Sequence, residues 1–507
     1  MNILASSYSG LIGIVALLAT AYVMSNNRAA INWRLVIAGL SLQLALAVFC
    51  LKVEVGQKLF LSLGHGIEKL LNFSDQGGAF VFGFLVGQPE KLNEIFGPGS
   101  SFIFAFKLIP TIIFVATLVG IAYHIGLMQR VVKIVAWIVY KLMGASGAEA
   151  LSNSASIFVG QIEAQLLVKP YVSSMTKSEL LAVMAGSMAC IAGGIMAVYI
   201  QMGVPAAYLL TASLMAIPGA LVISKIVFPE TEVSATKGKV SVEIEKHSVN
   251  VIHAASIGAA EGLKIGLNVT AMLIGFIALI ALIDFVVAQA GLLLAQGLAS
   301  AGYATQFGSI DFNQLSLSSI LGSLFGVVAV LIGVPVQDAN AVGAMMGTKM
   351  VVNEFVAYLS LTPHITAQTL DPKSIIIASF ALCGFANFSS VAMQIGGIGE
   401  MAPERRKDLA ELGIRAMICG TMASYVSAAW AGILLTQPEA STVPTALLIG
   451  ALVTLVAINL IAGRKPNIPI PTVQDGTKTY LPDMADIKNI RSMNIPSDEV
   501  ITSASVE

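Results

Sequence analysis

Apolar residues in this chain run in long blocks instead of the short alternations of strands or the one-sided stripes of soluble helices. Leu11 to Met24, Leu35 to Leu51, Phe102 to Ile125, Leu180 to Gln201, Ala207 to Phe228 and Ile265 to Val287 read as successive spans. Ser374 to Ile395, Ile414 to Leu435 and Pro444 to Ala462 complete the set, each close to the roughly 20 residues that a helical crossing takes. Val53 to Phe73 is less apolar and reads as a helix lying at the interface, as does the basic stretch around Arg130, Lys133 and Lys141. Leu315 to Leu361 is apolar but interrupted by Pro335, Asp338, Lys349 and Glu354. Such interruptions predict broken or re-entrant helices, because polar groups at membrane depth survive only inside protein or beside a wet cavity.

Composition strengthens this picture. Of 507 residues, 56% are hydrophobic and 11% charged, against about 25% charged in soluble domains. Mean hydropathy is +0.83, so most of the surface faces lipid. The fold class expected is an all-α polytopic membrane protein. A net charge of -1 without a dominant basic stripe gives no sign of a nucleic-acid partner, and none is expected. The four cysteines, Cys50, Cys190, Cys383 and Cys419, are scattered through apolar runs and read as reduced and buried.

No Lys or Arg precedes the first apolar run, so it reads as a retained span and not a signal peptide. Arg28 and Arg34 follow it, and the positive-inside rule places them in the cytoplasm with the N-terminus outside. Lys237, Lys239 and Lys246, then Arg405, Arg406 and Lys407, then Arg464 and Lys465, mark later cytoplasmic connections. The polar tail from Pro466 to Glu507 reads as a disordered cytoplasmic extension.

Two acid-bearing breaks carry the candidate chemistry. Gly160-Gln161-Ile162-Glu163 is followed by the glycine-rich turn Ala192-Gly193-Gly194-Ile195, and Asn353-Glu354 by Gly384-Phe385-Ala386-Asn387. Ile195 lies 32 positions after Glu163, and Asn387 lies 33 after Glu354. This echo between two halves is the sequence sign of an inverted-repeat transporter with its site at the repeat interface. A carboxylate at the bilayer centre costs roughly 3 kcal/mol, so Glu163 and Glu354 have either a ligand to hold or an internal ion pair, with Lys169 or Lys349. Asn387 carries an amide that a helix does not satisfy alone, whereas Ser389 and Ser390 are also read as bonding back to their own helix. Asp338 and Glu261 read as loop or interface charges, and Asp284 as a partner group or a helix-end charge. The five histidines form no metal-like pair, no nucleophile and base recur at a catalytic spacing, and no phosphate-gripping glycine loop is present. The chain is therefore expected not to be an enzyme, to need no cofactor, and to draw any uphill transport from an ion gradient.

The blocks Gly160-Gln161-Ile162-Glu163-Ala164, Lys169-Pro170-Tyr171, Met175-Thr176-Lys177-Ser178-Glu179-Leu180, Pro229-Glu230-Thr231-Glu232, Asn353-Glu354-Phe355-Val356-Ala357-Tyr358 and Gly384-Phe385-Ala386-Asn387-Phe388-Ser389-Ser390 together resemble the concentrative nucleoside transporter family, bacterial type. They stand in family order from about the first span to about Leu435.

The resemblance implies inverted repeats with two re-entrant helical hairpins, a scaffold part and a mobile transport part, assembled as a homotrimer in a bacterial inner membrane. It implies cation-coupled symport of nucleosides by an elevator-type cycle. The organisation expected is N-terminal spans and an interfacial helix over 1–101, a first repeat over 102–265 with a hairpin tip at 160–163, a second over 266–436 with a hairpin near 353–356, an extra span over 444–462, and the tail over 466–507. By the same resemblance Gln161, Ile162 and Glu163 sit at the first tip and face the base, and Ile195 packs against it. Glu354, Asn387 and Ser390 hold the ribose, with Phe385 nearby.

Three departures stand out. Ile162 and Gln165 replace the family's threonine and proline at the tip. Ser156 and Cys190 replace the asparagine and serine of the family's sodium site, which Val159 and Ile191 complete through backbone carbonyls. Sulfur suits a hard cation poorly, so the coupling ion, proton or sodium, is left open. The third departure is the extra span with its tail. A carrier of another polar metabolite on the same scaffold, or a non-transporting receptor or channel-like protein, are the alternative readings.

Overall fold

The computed structural model describes residues 9–96, 103–236, 248–307, 310–435 and 450. The expected tail, and all but Gly450 of the expected last span, lie outside the described residues, as do Lys237, Lys239 and Lys246. What is described is helical, apart from loops, short turns and one two-residue strand pair, Gln306–Phe307 with Ile310–Asp311.

Six of the segments are long and apolar enough to cross a membrane: Trp33–Leu51, Ala105–His124, Lys177–Gln201, Ala206–Val227, Val251–Ser300 and Pro403–Leu435. The amphipathic helix expected over Val53 to Phe73 runs longer, Glu54–Phe82. The basic stretch forms the helix Leu127–Met143.

Two expected spans are corrected, because neither is one helix. Lys177–Ala189 stops at Cys190, whose backbone is extended (φ -104°, ψ 165°), and a second helix, Gly193–Gln201, starts after Ala192. Ser374 to Ile395 likewise divides into Pro372–Ala381 and Phe388–Met401. Gly384 in that break has φ +124°, a conformation an L side chain resists and glycine accepts. The two breaks lie against each other. A Cβ on Gly384 would stand 2.7 Å from the carbonyl oxygen of Ala189, the last residue of the first half-helix.

Glycine spacing also sets the outer packing. Val251–Ser300 presents Gly258, Gly262 and Gly266 to the backbone of Phe104–His124 around Ala116, Ile113 and Ile109. Small residues every four positions let two helix backbones approach in a lipid-facing setting, where apolar burial alone gives no drive. The helices Leu317–Leu331 and Ala339–Val351 use the same device, with Gly343 against Gly326.

Candidate functional site

Each broken helix faces the tip of a helical hairpin. The first hairpin begins with Gly147–Ala155, whose start is closed by a reciprocal cap between Ser146 and Glu149. It turns through Ser156 to Ile162 and returns in the short helices Glu163–Leu166 and Lys169–Val172. The backbone N–H of Gly193 donates to the Phe158 carbonyl (3.3 Å), which ties this tip to the first helix break. At the hairpin's base, Glu149 forms a buried ion pair with Lys225, and Lys225 also meets Glu230 at 3.2 Å. Glu230 in turn accepts from Thr176 (2.8 Å), and Thr176 and Glu179 cap the helix Lys177–Ala189. The Thr176-to-Leu180 and Pro229-to-Glu232 sequence blocks are thus one polar joint.

The second hairpin is Ala339–Val351 and Glu354–Ala367, hinged at Val352 and Asn353. Asn353 caps the latter helix by accepting from Val356 N–H (2.9 Å). Its two buried charges, Lys349 and Glu354, stand on either side of the hinge, and no ion pair joins them.

The Lys349 ammonium, fully buried, donates to the carbonyls of Ala381 (2.9 Å) and Cys383 (3.3 Å) at the end of the half-helix Pro372–Ala381. Glu354 accepts from the Tyr199 hydroxyl at 3.0 Å and from the Asn387 amide at 3.2 Å, and Asn387 is the N-cap of the half-helix Phe388–Met401. The cation therefore sits where two helices end, and the carboxylate where two helices begin. Helix macrodipoles favour both placements, by about 0.3–1 kcal/mol each and up to about 2 where partly buried. These contacts give each group its own partners, and they replace the ion-pair reading of Lys349. Glu163 and Lys169 are both exposed and form no ion pair either.

A cavity of about 180 Å³ opens between the breaks. Its polar wall holds Gln161, Asn353, Glu354, Asn387, Ser389 and Ser390, with Ile195 and Phe385 beside them. The opposite wall is apolar, formed by Ile265, Val269, Met272 and Leu273 of the long helix Val251–Ser300. Of the eight expected substrate residues, the structure brings six to this cavity: Gln161, Ile195, Glu354, Phe385, Asn387 and Ser390. It does not bring Ile162 or Glu163 there. The Ile162 side chain packs on Gly397, and Glu163 is exposed, with its carboxylate folded over Gly160 into the space a Cβ would fill.

The four residues expected at the cation site are buried at the first tip and break. The Ser156 hydroxyl donates to the Ser152 carbonyl (2.9 Å), which leaves its oxygen lone pairs open, and the Cys190 thiol faces the Ser213 carbonyl at 3.8 Å. All four cysteines are free and buried. Among the described residues no His, Cys, Asp or Glu cluster suits a metal ion.

Asp284 accepts from Leu317 N–H (2.7 Å) at a helix start. Asp338 accepts from Asp371 N–H and the Ser374 hydroxyl, also at a helix start. Tyr199, Gln394 and Met393 are the residues the sequence reading missed. Tyr199 was hidden inside the apolar run Met196 to Ile200, and Gln394 is visible in retrospect as a lone amide four residues after Ser390, on the same helix face.

Comparison with known proteins fits this geometry. Residues 12–85 match the family described as Na+ dependent nucleoside transporter N-terminus, 105–206 the one described as nucleoside recognition (Gate), and 208–432 the one described as Na+ dependent nucleoside transporter C-terminus. An uncharacterized transporter of Haemophilus influenzae is 42% identical over 432 residues, spanning 84% of this chain and 98% of that one. The nucleoside permease NupC of Helicobacter pylori is 37% identical over 431 residues, with 84% and 98% covered. A solved structure of CNTnw in an inward-facing, substrate-bound state is 39% identical and superposes with a TM-score of 0.76, covering 86% of this chain and 99% of that one. Two discontinuous helices facing two hairpin tips across a half-polar cavity, matched along most of the chain by these relatives, make this protein a member of the concentrative nucleoside transporter family.

Proposed function

We propose that this chain imports nucleosides across a bacterial inner membrane by symport with a cation, through elevator-type travel of the part that bears the hairpins. The observation that carries this reading is the Glu354 carboxylate, which is buried, held by Tyr199 and Asn387, and turned to a cavity whose polar groups all belong to the hairpins and the second broken helix. A carboxylate so placed accepts from neighbouring ribose hydroxyls, and Gln161 meets a base edge. Glu163, which resemblance assigns to the base, reaches the cavity by swinging away from Gly160 once a base is present. Residues 102–265 and 266–436 form the two repeats, three copies assemble as a trimer, the N-terminus faces outward and the C-terminal tail lies in the cytoplasm.

The coupling ion in this proposal is a proton. The thiol at 190 offers a sodium ion one oxygen ligand fewer than the family site, while the hydroxyl at 156 spends its hydrogen on the Ser152 carbonyl and keeps its oxygen. The description of the matching family as Na+ dependent favours the second reading, sodium held mainly by the carbonyls of Val159 and Ile191. Uptake of labelled uridine and adenosine by proteoliposomes, with sodium and proton gradients imposed separately, separates the two. Uptake driven by the proton gradient alone is expected. Undiminished sodium-driven uptake that ignores a proton gradient rejects proton coupling, and absence of both uptake and competition by nucleosides rejects nucleoside transport. Competition by free base, ribose or amino acids in their place identifies a carrier of another metabolite.

A further inference from the structure

A buried string of side-chain amides runs behind Gln161, away from the cavity. Gln165, fully buried on the first hairpin, accepts from the Ser152 hydroxyl (2.9 Å) and donates to the Val183 carbonyl (3.3 Å) and the Ser187 hydroxyl (3.0 Å). Ser187 spends its own hydrogen on the Val183 or Met184 carbonyl, so its oxygen is left to accept. It accepts a second time from Gln394 Nε2 (2.8 Å). Gln394, also fully buried, turns the same nitrogen toward the Met184 carbonyl (3.3 Å) and Gln161 Oε1 (3.3 Å), so its two hydrogens are shared among three acceptors.

The direction of every amide in this string is dictated by chemistry. A backbone carbonyl only accepts, so the Gln165 atom facing Val183 and the Gln394 atom facing Met184 are nitrogens. Reversing Gln394 would set its oxygen against the Met184 carbonyl oxygen and against the Ser187 oxygen, whose hydrogen is spent elsewhere. Because a nitrogen of Gln394 faces Gln161, the Gln161 atom it meets is the oxygen. The Gln161 Nε2 then points the other way, to the Ser390 hydroxyl (3.1 Å) and Met393 Sδ (3.8 Å), both of which line the cavity. Gln394 does not line it.

From this we infer that Gln394 is a positioning residue for base recognition: it locks the Gln161 carboxamide with its N–H2 toward the substrate, so that this end of the site selects bases presenting a keto oxygen over those presenting an amino group. Ser187 and Gln165 hold Gln394 in turn. The string joins the first hairpin, the first broken helix and the second broken helix, which makes the Gln161 orientation a joint product of both repeats. Gln165, which stands where related chains usually carry proline, supplies an anchor that proline lacks. Ile162 closes on Gly397, three residues beyond Gln394 on the same helix, so the side chain in place of the usual tip threonine meets this helix and adds no competing hydroxyl at the base.

This inference rests on the nucleoside reading above and is tested apart from it. The full chain is reconstituted in proteoliposomes, and uptake of labelled uridine is competed with unlabelled uridine against cytidine and with inosine against adenosine, each pair differing by a keto or an amino group at the same ring position. The wild type is expected to favour the keto member of both pairs. Gln394→Met, close in volume and without a donor, frees the Gln161 amide to rotate, and both ratios are expected to contract by about fivefold, the scale of one net hydrogen bond. The penalty for 3′-deoxyuridine, read at the Glu354 end, stays as in wild type. Ser187→Ala is expected to move the ratios the same way by less, and stands in if Gln394→Met does not insert. A wild type indifferent to keto and amino groups overturns the inference. So do unchanged ratios in a variant that inserts normally, or a loss spread equally over both pairs and the deoxy penalty, which marks a packing role. Failure of all nucleosides to compete strikes instead at the transport reading.

Discussion

Three kinds of group meet the buried Glu354 carboxyl at once: the Tyr199 hydroxyl, the Asn387 amide and the start of its own helix. A hydrogen bond to a charged group is worth about 1.5–3 kcal/mol net. Tyr199→Phe removes one such bond while leaving the ring against Tyr358, whose centroid is 4.3 Å away. The expected result is a KM raised by about tenfold with the protein still inserted, measured by uridine uptake; an unchanged KM would mean that Tyr199 does not support the carboxylate. Glu354→Gln keeps the shape and loses the acceptor pair, so uptake is expected to vanish while insertion persists. Normal transport by that variant refutes the ribose role of Glu354.

At the scale of elements, the hairpin hinge grips both ends of one helix break, with Lys349 on the carbonyls of Ala381 and Cys383 and Glu354 on the cap at Asn387. Lys349→Met leaves two buried carbonyls without this donor and a helix end without its cation. Loss of a buried hydrogen-bonded partner costs on the order of 1–3 kcal/mol per orphaned group, so a clear fall in thermal stability in detergent is expected, and an unshifted unfolding curve counts against the grip. Gly384→Ala demands both a strained φ and a Cβ 2.7 Å from the Ala189 carbonyl oxygen. The two breaks are pushed apart, and transport is expected to fall sharply even where the protein reaches the membrane; near-normal uptake would show that the breaks tolerate separation.

These elements also mark how far the sequence could be read. Glu354 and Asn387 are visible because a carboxylate and an amide in apolar surroundings need partners. That Leu180 to Gln201 and Ser374 to Ile395 are interrupted was masked by continuous apolarity, since Cys190, Ile191 and Leu382 to Phe385 look the same to hydropathy in a helix or out of one. Tyr199 has no sequence signal, and the lone amide of Gln394 takes its meaning only from contacts, which for both residues lie more than 150 positions away along the chain. Glu163 faces a base only by resemblance, while in the structure its carboxylate fills the space left by the missing Cβ of Gly160.

For the whole molecule, the helix Val251–Ser300 matters most. Its 50 residues extend about 75 Å, more than twice the roughly 30 Å hydrocarbon layer, so it either tilts steeply or reaches past the bilayer. It supplies one wall of the cavity, and that wall, Ile265, Val269, Met272 and Leu273, has no hydrogen-bonding side chain. Val269→Asn introduces one. The expected outcome is a lower maximal uptake rate with nucleoside affinity kept or improved, seen by comparing Vmax with equilibrium binding, and an unchanged rate argues against relative movement along this helix. If the polar wall travels with its cargo past this one, the apolar side chains act as a bearing surface. They shield the cargo from lipid yet hold it by nothing directional, so no bond has to be broken and remade along the way, and the friction of the journey is set by side-chain shape alone.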